Sequence, residues 1–391
     1  MATAPHSAGT DFLGIWELLE PEERAVGETV RRLMEDKAIP VVADHFERGS
    51  FPMEIVPEIA RMGLFGMHLH GYGCAGMSNV AYGVACQELE RADAALRSFV
   101  SVQGSLVMFP IWKYGSEEQK QRWLPRLAAG EAFGCFGLTE PDFGSNPAGM
   151  RTTARRDGGS YVLNGGKRWI TNGSLADVAL VWAKLDGVVR GFLVEKGTPG
   201  FTAYDIPHKM SLRASATSEL VFEDCRVPEE YLLPGVEGLK GPLSCLTEAR
   251  HGIIWGALGS ASACYESALD YAKSRVQFDR PIAGYQLTQE KLVDMLLEIT
   301  KGQLLALHIG RLKDQGKATP AQISLGKMNN VRVALDIARQ ARSILGANGI
   351  TLDYPVIRHM LNLETVYTYE GTNEMHLLTV GREITGLSAF C

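Results

Sequence analysis

The spacing of apolar residues changes twice along this chain, and that change constrains the fold more than any other feature. The first third has helical spacing, as in the stripe formed by Val26, Val30 and Leu33. From about residue 134 to 240, short strand-like runs are separated by turn-forming dipeptides. Helical spacing returns from Leu243 onward, with few turn-forming residues to interrupt it. The predicted order is helices, then strands, then helices.

We therefore predict a multi-domain α+β protein. Residues 12–133 are expected to form an N-terminal α-helical domain and residues 134–240 a middle β domain. The middle domain is predicted to be antiparallel, because its strands do not alternate with helices as they would around a parallel sheet. The long apolar stripes of residues 241–391 predict a C-terminal four-helix bundle.

Composition excludes several classes of function. The 391 residues are 46% hydrophobic and 21% charged, which is ordinary for a soluble globular protein. A net charge of −6 provides no basic field for nucleic acid or anionic lipid. The least polar window, Gly252 to Tyr265, is too short to cross a bilayer. Neither a nucleic-acid partner nor a membrane is expected.

The cysteines and the N-terminus bear on localisation. Seven cysteines are scattered without a C-x-x-C pair, which favours a reducing compartment, and no metal site is predicted. The stretch from Met1 to Asp11 lacks the pattern of a signal or transit peptide and is predicted to be a disordered tail. These features predict a bacterial cytoplasm.

One short stretch points to chemistry: Tyr369-Glu370-Gly371-Thr372, in a segment rich in Leu, Val, Met and Tyr. A carboxylate between an aromatic ring and a glycine can be desolvated, which raises its pKa. A base that removes a weakly acidic C–H proton near neutral pH needs such a pKa. The alternative is a helix-terminal Glu beside a helix-breaking glycine, and spacing alone favours it.

A second motif suggests a different function but lacks its context. Gly71-Tyr72-Gly73-Cys74-Ala75-Gly76 matches the G-x-G-x-x-G dinucleotide fingerprint. The helical pattern after it continues without a second strand that could place an acid on a ribose. A turn-forming glycine loop is the favoured interpretation.

Five runs, taken in order, resemble the acyl-CoA dehydrogenase family from about Leu18 to Phe390. The resemblance implies FAD as cofactor and a homotetramer in which FAD is bound across a subunit interface. The runs are Phe136-Gly137-Leu138-Thr139-Glu140-Pro141 with Gly144-Ser145, Trp169-Ile170-Thr171-Asn172, Phe222-Glu223-Asp224-Cys225-Arg226-Val227-Pro228, Arg275-Val276-Gln277-Phe278 and Tyr369-Glu370-Gly371-Thr372.

The resemblance assigns residues to the cofactor. The loop and the tryptophan-bearing strand would hold the flavin ring. Arg275 and Phe278, together with Gln286 and the Leu345-Gly346 turn, would reach the FAD of a neighbouring subunit. A Trp such as Trp169, taken alone, is more often buried in a sheet. The implied cofactor residues are Phe136, Leu138, Thr139, Trp169, Ile170, Thr171, Arg275, Phe278, Gln286, Leu345, Gly346 and Thr372.

The implied reaction is α,β-dehydrogenation of an acyl-CoA thioester. Glu370 would remove the α-proton while the β-hydrogen passes to the flavin as hydride. The backbone N–H of Glu370 and a flavin ribityl hydroxyl would polarise the thioester oxygen. Electrons would then pass to an electron-transferring flavoprotein. Further implied substrate contacts are Ser145, Arg250, Tyr369, Gly371 and Phe390.

The run that begins at Arg97-Ser98 resembles the glutaryl-CoA dehydrogenase branch, where this pair holds the far carboxylate of the substrate. Glu90 lies two helical turns before Arg97 and could fix its guanidinium. A buried guanidinium without its carboxylate is costly, so discrimination against plain acyl chains would be on the order of 2–5 kcal/mol. The alternative is a solvated surface pair.

In the branch, loss of CO2 follows oxidation and reprotonation gives crotonyl-CoA. Members that decarboxylate carry a Tyr before the catalytic Glu, as Tyr369 does here. The predicted reaction is conversion of glutaryl-CoA to crotonyl-CoA and CO2. The alternatives are a glutaryl-CoA dehydrogenase that retains CO2, a short-chain acyl-CoA dehydrogenase or oxidase, and a flavoprotein without catalytic activity.

Overall fold

The computed structural model describes residues 9–390. Residues 1–8 of the predicted disordered tail lie outside the described residues. The prediction that this tail extends to Asp11 is wrong, because the Asp11 carboxylate accepts a hydrogen bond of 2.5 Å from the Ile15 amide. This bond fixes Asp11 against the short helical turn Ile15–Leu18.

Seven helices form the N-terminal part of the chain. The last of them starts with a capping box in which Ser116 and Gln119 each accept the other's backbone N–H, which satisfies two amides at the helix start. The helices are α1 (Pro21–Leu33), α2 (Ile39–Arg48), α3 (Val56–Arg61), α4 (Asn79–Ala92), α5 (Ala94–Ser101), α6 (Phe109–Tyr114) and α7 (Glu117–Ala128).

A π-helical segment, Val102–Met108, joins α5 to α6, so that Ala94–Tyr114 is one continuous helical stretch. Its length and mean hydropathy of 1.3 match those of a membrane span, yet its most apolar window is entirely buried inside the protein. The core helix of a globular domain has the same properties. The glycine loop at Gly71 to Gly76 precedes α4 without a strand on either side of it.

The middle of the chain forms a seven-stranded sheet. It is mostly antiparallel, but β1 and β2 both run parallel to β4 and share one of its edges, while β5 pairs with the other. The strands are β1 (Gly134–Gly137), β2 (Thr153–Arg156), β3 (Ser160–Thr171), β4 (Val178–Leu185), β5 (Val188–Glu195), β6 (Phe201–Asp205) and β7 (Thr217–Pro228).

The C-terminal part is helical, with one small hairpin. Helix α8 packs on both α4 and α10 and so joins the first and last parts of the molecule. Its glycines permit this approach, since a Cβ on Gly259 would lie 1.9 Å from the Gln87 carbonyl oxygen. The elements are α8 (Lys240–Ser274), β8 (Val276–Gln277), β9 (Arg280–Pro281), α9 (Gln286–Asp314), α10 (Pro320–Leu345), α11 (Val356–Thr368) and α12 (Asn373–Thr385).

The predicted fold class, with its order of helices, strands and helices, is confirmed. The strand-like runs occupy β4, β5 and β7, and the Asp157-Gly158 turn joins β2 to β3. The two parallel pairings of β4 were not predicted. They join β4 to two strands, β1 and β2, that do not adjoin it along the chain, and pairing across such distances leaves no local signal.

Candidate active site

Glu370 lies in the short connection between α11 and α12. Its φ of 53° is left-handed, a conformation that non-glycine residues rarely adopt outside functional or strained sites. Gly371 has a φ of 99°, and a Cβ there would lie 3.0 Å from the Arg250 guanidinium. Thr372 then caps α12 by accepting the Met375 amide. The carboxylate of Glu370 therefore projects from a tight turn between two helices.

Two cationic side chains hold the carbonyls of this connection. The ammonium of Lys327, on α10, donates to the carbonyl oxygens of Tyr369 and Gly371 at 2.6 Å each. Nε of Arg250, on α8, donates to the carbonyl oxygen of Glu370, also at 2.6 Å. Three successive carbonyls therefore accept from two side chains on different helices.

The surroundings make Glu370 a stronger base than an exposed carboxylate. Part of the residue stays accessible, but its Oε2 atom is buried and forms no hydrogen bond within residues 9–390. Burial raises the pKa of Glu370, while Arg97, Lys327 and Arg250 oppose that rise. Burial also lowers the pKa of Lys327 to about 7, against the attraction of Glu370. The carboxylate is desolvated without being neutralised by a direct ion pair.

The guanidinium of Arg97 is fully buried beside this connection. Its Nε donates to Glu90 Oε2 at 2.7 Å, and an Nη donates to the Tyr369 hydroxyl. The other terminal nitrogen, Nη1, is buried and has no hydrogen-bond partner within residues 9–390. The alternative of a solvated surface pair is therefore excluded, and the site contains a buried donor of the kind that binds a carboxylate.

A glycine on α8 makes room for the buried ion pair. A Cβ on Gly256 would lie 2.3 Å from Glu90 Oε2 and 3.1 Å from Arg97 Nε. Ser260, one helical turn further, donates to the other Glu90 oxygen at 3.3 Å. Ser98, predicted to act with Arg97, is buried next to it on α5.

The predicted flavin loop and the tryptophan-bearing strand are brought together. The Arg168 amide donates to the Thr139 carbonyl at 2.8 Å, which ties the loop after β1 to β3. The pairing of β3 with β7 shifts register between Lys167 and Ile170, and Trp169 at this irregularity has a φ of 63°. A bulge of this kind redirects a side chain out of the alternating pattern.

Trp169 is 55% exposed as a result, which excludes the alternative of a buried sheet aromatic. Phe136, Leu138 and Ile170 are buried beneath the surface that it shares with Thr139 and Thr171. A large exposed ring beside hydroxyl and amide groups fits a planar aromatic ligand, because such a ligand removes apolar area from water and accepts hydrogen bonds at its edge.

Four of the five residues predicted to reach a neighbouring subunit lie on the surface. Phe278, with a φ of 50° at the tip of the β8–β9 hairpin, is 89% exposed. Arg275 and Gln286 are exposed on either side of it. At the end of α10, Leu345 is buried and Gly346 has a φ of 60°. None of these five contacts the Trp169 surface of the same chain through a hydrogen bond within the described residues.

Two further predicted residues, Ser145 and Phe390, are exposed and lie in connecting segments outside the helices and strands. Their predicted contacts with substrate stay predictions. For Arg250, predicted to bind the CoA arm, the structure adds a different contact, with the Glu370 carbonyl. Gly371 and Thr372 likewise have backbone roles, as a left-handed turn residue and a helix cap.

Sequence reasoning missed Lys327. It lies in the apolar stripe of α10, one and two turns before the buried Val331 and Ala334. A lysine on a buried helix face is rarely left without partners, and that was the available signal. It also missed the role of Glu140, which is held by Lys167 at 2.8 Å and by the amides of Arg151 and Thr152 beside the flavin loop.

Comparison with known families covers most of the chain. The profiles of the acyl-CoA dehydrogenase N-terminal, middle and C-terminal domains match residues 20–131, 135–225 and 237–385. The chain is 36% identical over 361 residues to the human mitochondrial short-chain specific acyl-CoA dehydrogenase, covering 90% of this chain and 87% of the relative.

Two solved structures extend the comparison. A Mycobacterium smegmatis glutaryl-CoA dehydrogenase in complex with FADH2 is 58% identical, with a TM-score of 0.97 over 98% of this chain and 100% of that one. The butyryl-CoA dehydrogenase of Megasphaera elsdenii is 34% identical, with a TM-score of 0.90 over 94% and 98% of the two chains. Family and site agree on FAD as the cofactor, and the chain belongs to the acyl-CoA dehydrogenase family.

Proposed function

We propose that this acyl-CoA dehydrogenase oxidises glutaryl-CoA and decarboxylates the product to crotonyl-CoA and CO2. The observation that carries the proposal is the buried guanidinium of Arg97, whose Nη1 has no hydrogen-bond partner within residues 9–390. The same guanidinium donates to the hydroxyl of Tyr369, the residue directly before Glu370. The 58% identity to a glutaryl-CoA dehydrogenase supports the same substrate.

Glu370 is the base that removes the α-proton of the thioester. Its raised pKa brings its basicity closer to that needed near neutral pH, and its buried Oε2 has no hydrogen bond to lose before it accepts a proton. The nearby cations keep the carboxylate ionised enough to act. A Gln at this position has the same shape but cannot take the proton.

The backbone of Glu370 is also placed to polarise the thioester oxygen. In a trans peptide the N–H points away from the preceding C=O. The Tyr369 carbonyl points at Lys327, so the Glu370 N–H points to the opposite side of the connection. A fixed donor of this kind stabilises the charge that develops on the oxygen as the α-proton leaves.

FAD, when bound, supplies the acceptor for the β-hydrogen. Phe136, Leu138, Thr139, Trp169, Ile170 and Thr171 would hold its ring, on the surface described above. Arg275 and Phe278 would bind the adenine half of the cofactor of another subunit, since a guanidinium suits a pyrophosphate and an exposed ring suits stacking.

Arg97 selects the substrate by its far end. A carboxylate on the acyl chain would pair with the free Nη1, whereas a methyl group would leave that donor buried and unsatisfied. The difference is on the order of 2–5 kcal/mol in favour of the dicarboxylyl thioester. This argues against a short-chain acyl-CoA as the main substrate, despite the 36% identity to a short-chain enzyme.

The decarboxylation step places different demands on the same residues. Breaking the bond to the γ-carboxylate releases CO2 and leaves its electron pair in a dienolate that extends to the thioester oxygen. Glu370, protonated in the first step, returns that proton to carbon and gives crotonyl-CoA. Tyr369, whose hydroxyl accepts from Arg97, would lie beside a departing carboxylate that is bound at this guanidinium. A dehydrogenase that retains CO2 is the second candidate.

Reduced cofactor would pass its electrons to an electron-transferring flavoprotein, and the active form would be a homotetramer. Exposed apolar side chains on the C-terminal elements support subunit contacts there, because isolated chains seldom leave so many in water. They include Phe278, Leu287, Val293, Leu297 and Ile384.

Product analysis after anaerobic turnover tests the proposal. Glutaryl-CoA should bleach the bound flavin and yield crotonyl-CoA and CO2, whereas Glu370→Gln should bind the thioester without bleaching. Glutaconyl-CoA without CO2 would favour the second candidate. Equal bleaching rates with glutaryl-CoA and butyryl-CoA would contradict the substrate assignment.

A further inference from the structure

The strained connection at Glu370 is held by groups far away in the sequence. Lys327 reaches it from 42 and 44 positions earlier in the chain, and Arg250 from 120 positions earlier. A left-handed φ at a non-glycine residue costs on the order of 1–3 kcal/mol, so it persists only where the surroundings determine it. The backbone of the proposed base is therefore not held by its own turn alone.

Lys327 is the group best placed to hold it. Its side chain is 1% exposed, and its two donated bonds reach the carbonyls on both sides of Glu370. The bond to the Tyr369 carbonyl limits rotation of the peptide plane that precedes the Cα of Glu370, and the bond to the Gly371 carbonyl fixes the second plane after it. The plane that directly follows the Cα is held by Arg250 through the Glu370 carbonyl. The left-handed φ of Glu370 is therefore held by Lys327 and Arg250 together.

We propose that Lys327 is a positioning residue for catalysis, which orients both the carboxylate and the backbone N–H of Glu370 through the Tyr369 and Gly371 carbonyls. This inference rests on the proposed function, in which Glu370 is the base and its N–H polarises the thioester. Lys327 would thus have two effects on Glu370, one on its geometry and one on its charge, and a single substitution of Lys327 should remove both.

The first effect is geometric. The Glu370 N–H points opposite to the Tyr369 carbonyl, so the bond from Lys327 to that carbonyl fixes the direction of the N–H. Without the ammonium the peptide can rotate, and the donor turns away from the thioester oxygen. A displacement of about 1 Å in such a site can cost roughly 100-fold in rate.

The second effect is electrostatic. The positive charge of Lys327 favours the ionised form of Glu370 and opposes the effect of burial on its pKa. Removing it should make the carboxylate harder to ionise. The other titratable or charged groups around Glu370 are Arg97 on α5, Arg250 on α8, His376 on α12, Tyr369 beside it, and Glu90 and Cys86 on α4.

The surrounding groups do not replace Lys327. Arg250 is bound to the Glu370 carbonyl and Arg97 to Glu90 and Tyr369, so neither is free to reach the two carbonyls that Lys327 holds. Burial lowers the pKa of His376 to about 2, so this side chain stays neutral near pH 7 and adds no positive charge.

The test compares Lys327→Met and Lys327→Gln with the unaltered holoenzyme. We expect kcat with glutaryl-CoA to fall roughly 100-fold while the Kd of the thioester changes less than about threefold. The acidic limb of the kcat profile should move to higher pH, because the charge that favours ionised Glu370 is lost. The carbonyl band of bound crotonyl-CoA, labelled with 13C at C1, should move toward its position in water.

Lys209→Gln is the matched control. Lys209 is another largely buried lysine that donates to two backbone carbonyls, those of Leu212 and Ser215, at 3.0 and 2.6 Å. Its loss should lower the thermal midpoint without moving the pH profile or the carbonyl band. Lys327→Arg, which keeps the charge, should keep the acidic limb in place and is measured in case the other variants do not fold.

The outcomes separate the two levels of inference. An unchanged pH profile and carbonyl band in folded Lys327→Met or Lys327→Gln would overturn the positioning role. If Lys327→Arg is the only variant that folds, a shift of its acidic limb would overturn the positioning role as well. Bleaching that persists in Glu370→Gln would instead remove Glu370 as the base, and the proposed function with it.

Discussion

Nε of Arg97 lies 2.7 Å from Oε2 of Glu90, and neither side chain is exposed to solvent. A buried pair of this kind is often no more stabilising than well-packed apolar side chains, because both charges lose their hydration. Its value here is positional. Glu90 accepts from Nε of the guanidinium and the Tyr369 hydroxyl accepts from Nη2, which leaves Nη1 to donate to a ligand.

Replacing Arg97 by Met should change the substrate preference. The variant loses the donor for the far carboxylate, so kcat/KM for glutaryl-CoA should fall by roughly 100-fold or more, corresponding to about 3 kcal/mol. With butyryl-CoA it should hold or rise, since no buried donor is left unsatisfied by a methyl group. Steady-state kinetics with both thioesters measure the ratio. Parallel losses with both would contradict the role of Arg97 in specificity.

Replacing Glu90 by Ala should destabilise the protein. It leaves the Arg97 charge buried with only the Tyr369 hydroxyl, and breaking such a pair costs about 3–5 kcal/mol. The expected readout is a lower midpoint of thermal unfolding of the holoenzyme. Asp44→Ala, which removes the partner of Arg48 in an exposed ion pair, is the control and should leave the midpoint nearly unchanged. Equal midpoints for both variants would contradict the prediction.

The rate of flavin reduction should depend on pH with a defined sign. Burial raises the pKa of Glu370 above its ordinary value of 4.5, and the base acts only when deprotonated. The rate should therefore reach its plateau above this raised pKa and fall as pH decreases through it. Anaerobic stopped-flow measurements at saturating glutaryl-CoA report the limb. An acidic limb at or below pH 4.5 would contradict a desolvated base.

Replacing Phe278 by Ala should weaken FAD retention. The ring is 89% exposed in the single chain and is predicted to stack on the adenine of a neighbouring subunit, where a stacked pair contributes roughly 1 kcal/mol. The ratio of flavin to protein absorbance after gel filtration should drop. Tyr204→Ala, at another exposed aromatic, should retain the wild-type ratio. Equal retention by both variants would argue against adenine stacking by Phe278.

The residue types and their order along the chain were enough to predict the fold class, the cofactor and the family. Helical and strand spacing are local properties, and Tyr369-Glu370-Gly371-Thr372 is a contiguous motif. The contact of Glu90 with Arg97 was also predicted, but the continuous helix assumed for it is interrupted at Asp93, between α4 and α5. The two side chains still meet across this break in the helix.

Tertiary structure alone decided what surrounds those residues. The exposure of Trp169 depends on a shift in strand register between β3 and β7, and the anchoring of Glu370 depends on Lys327 and Arg250 from two other helices. Local sequence cannot specify such contacts, because the backbone carbonyl is the same chemical group at every position. Which carbonyl a buried cation meets is set only when distant helices pack.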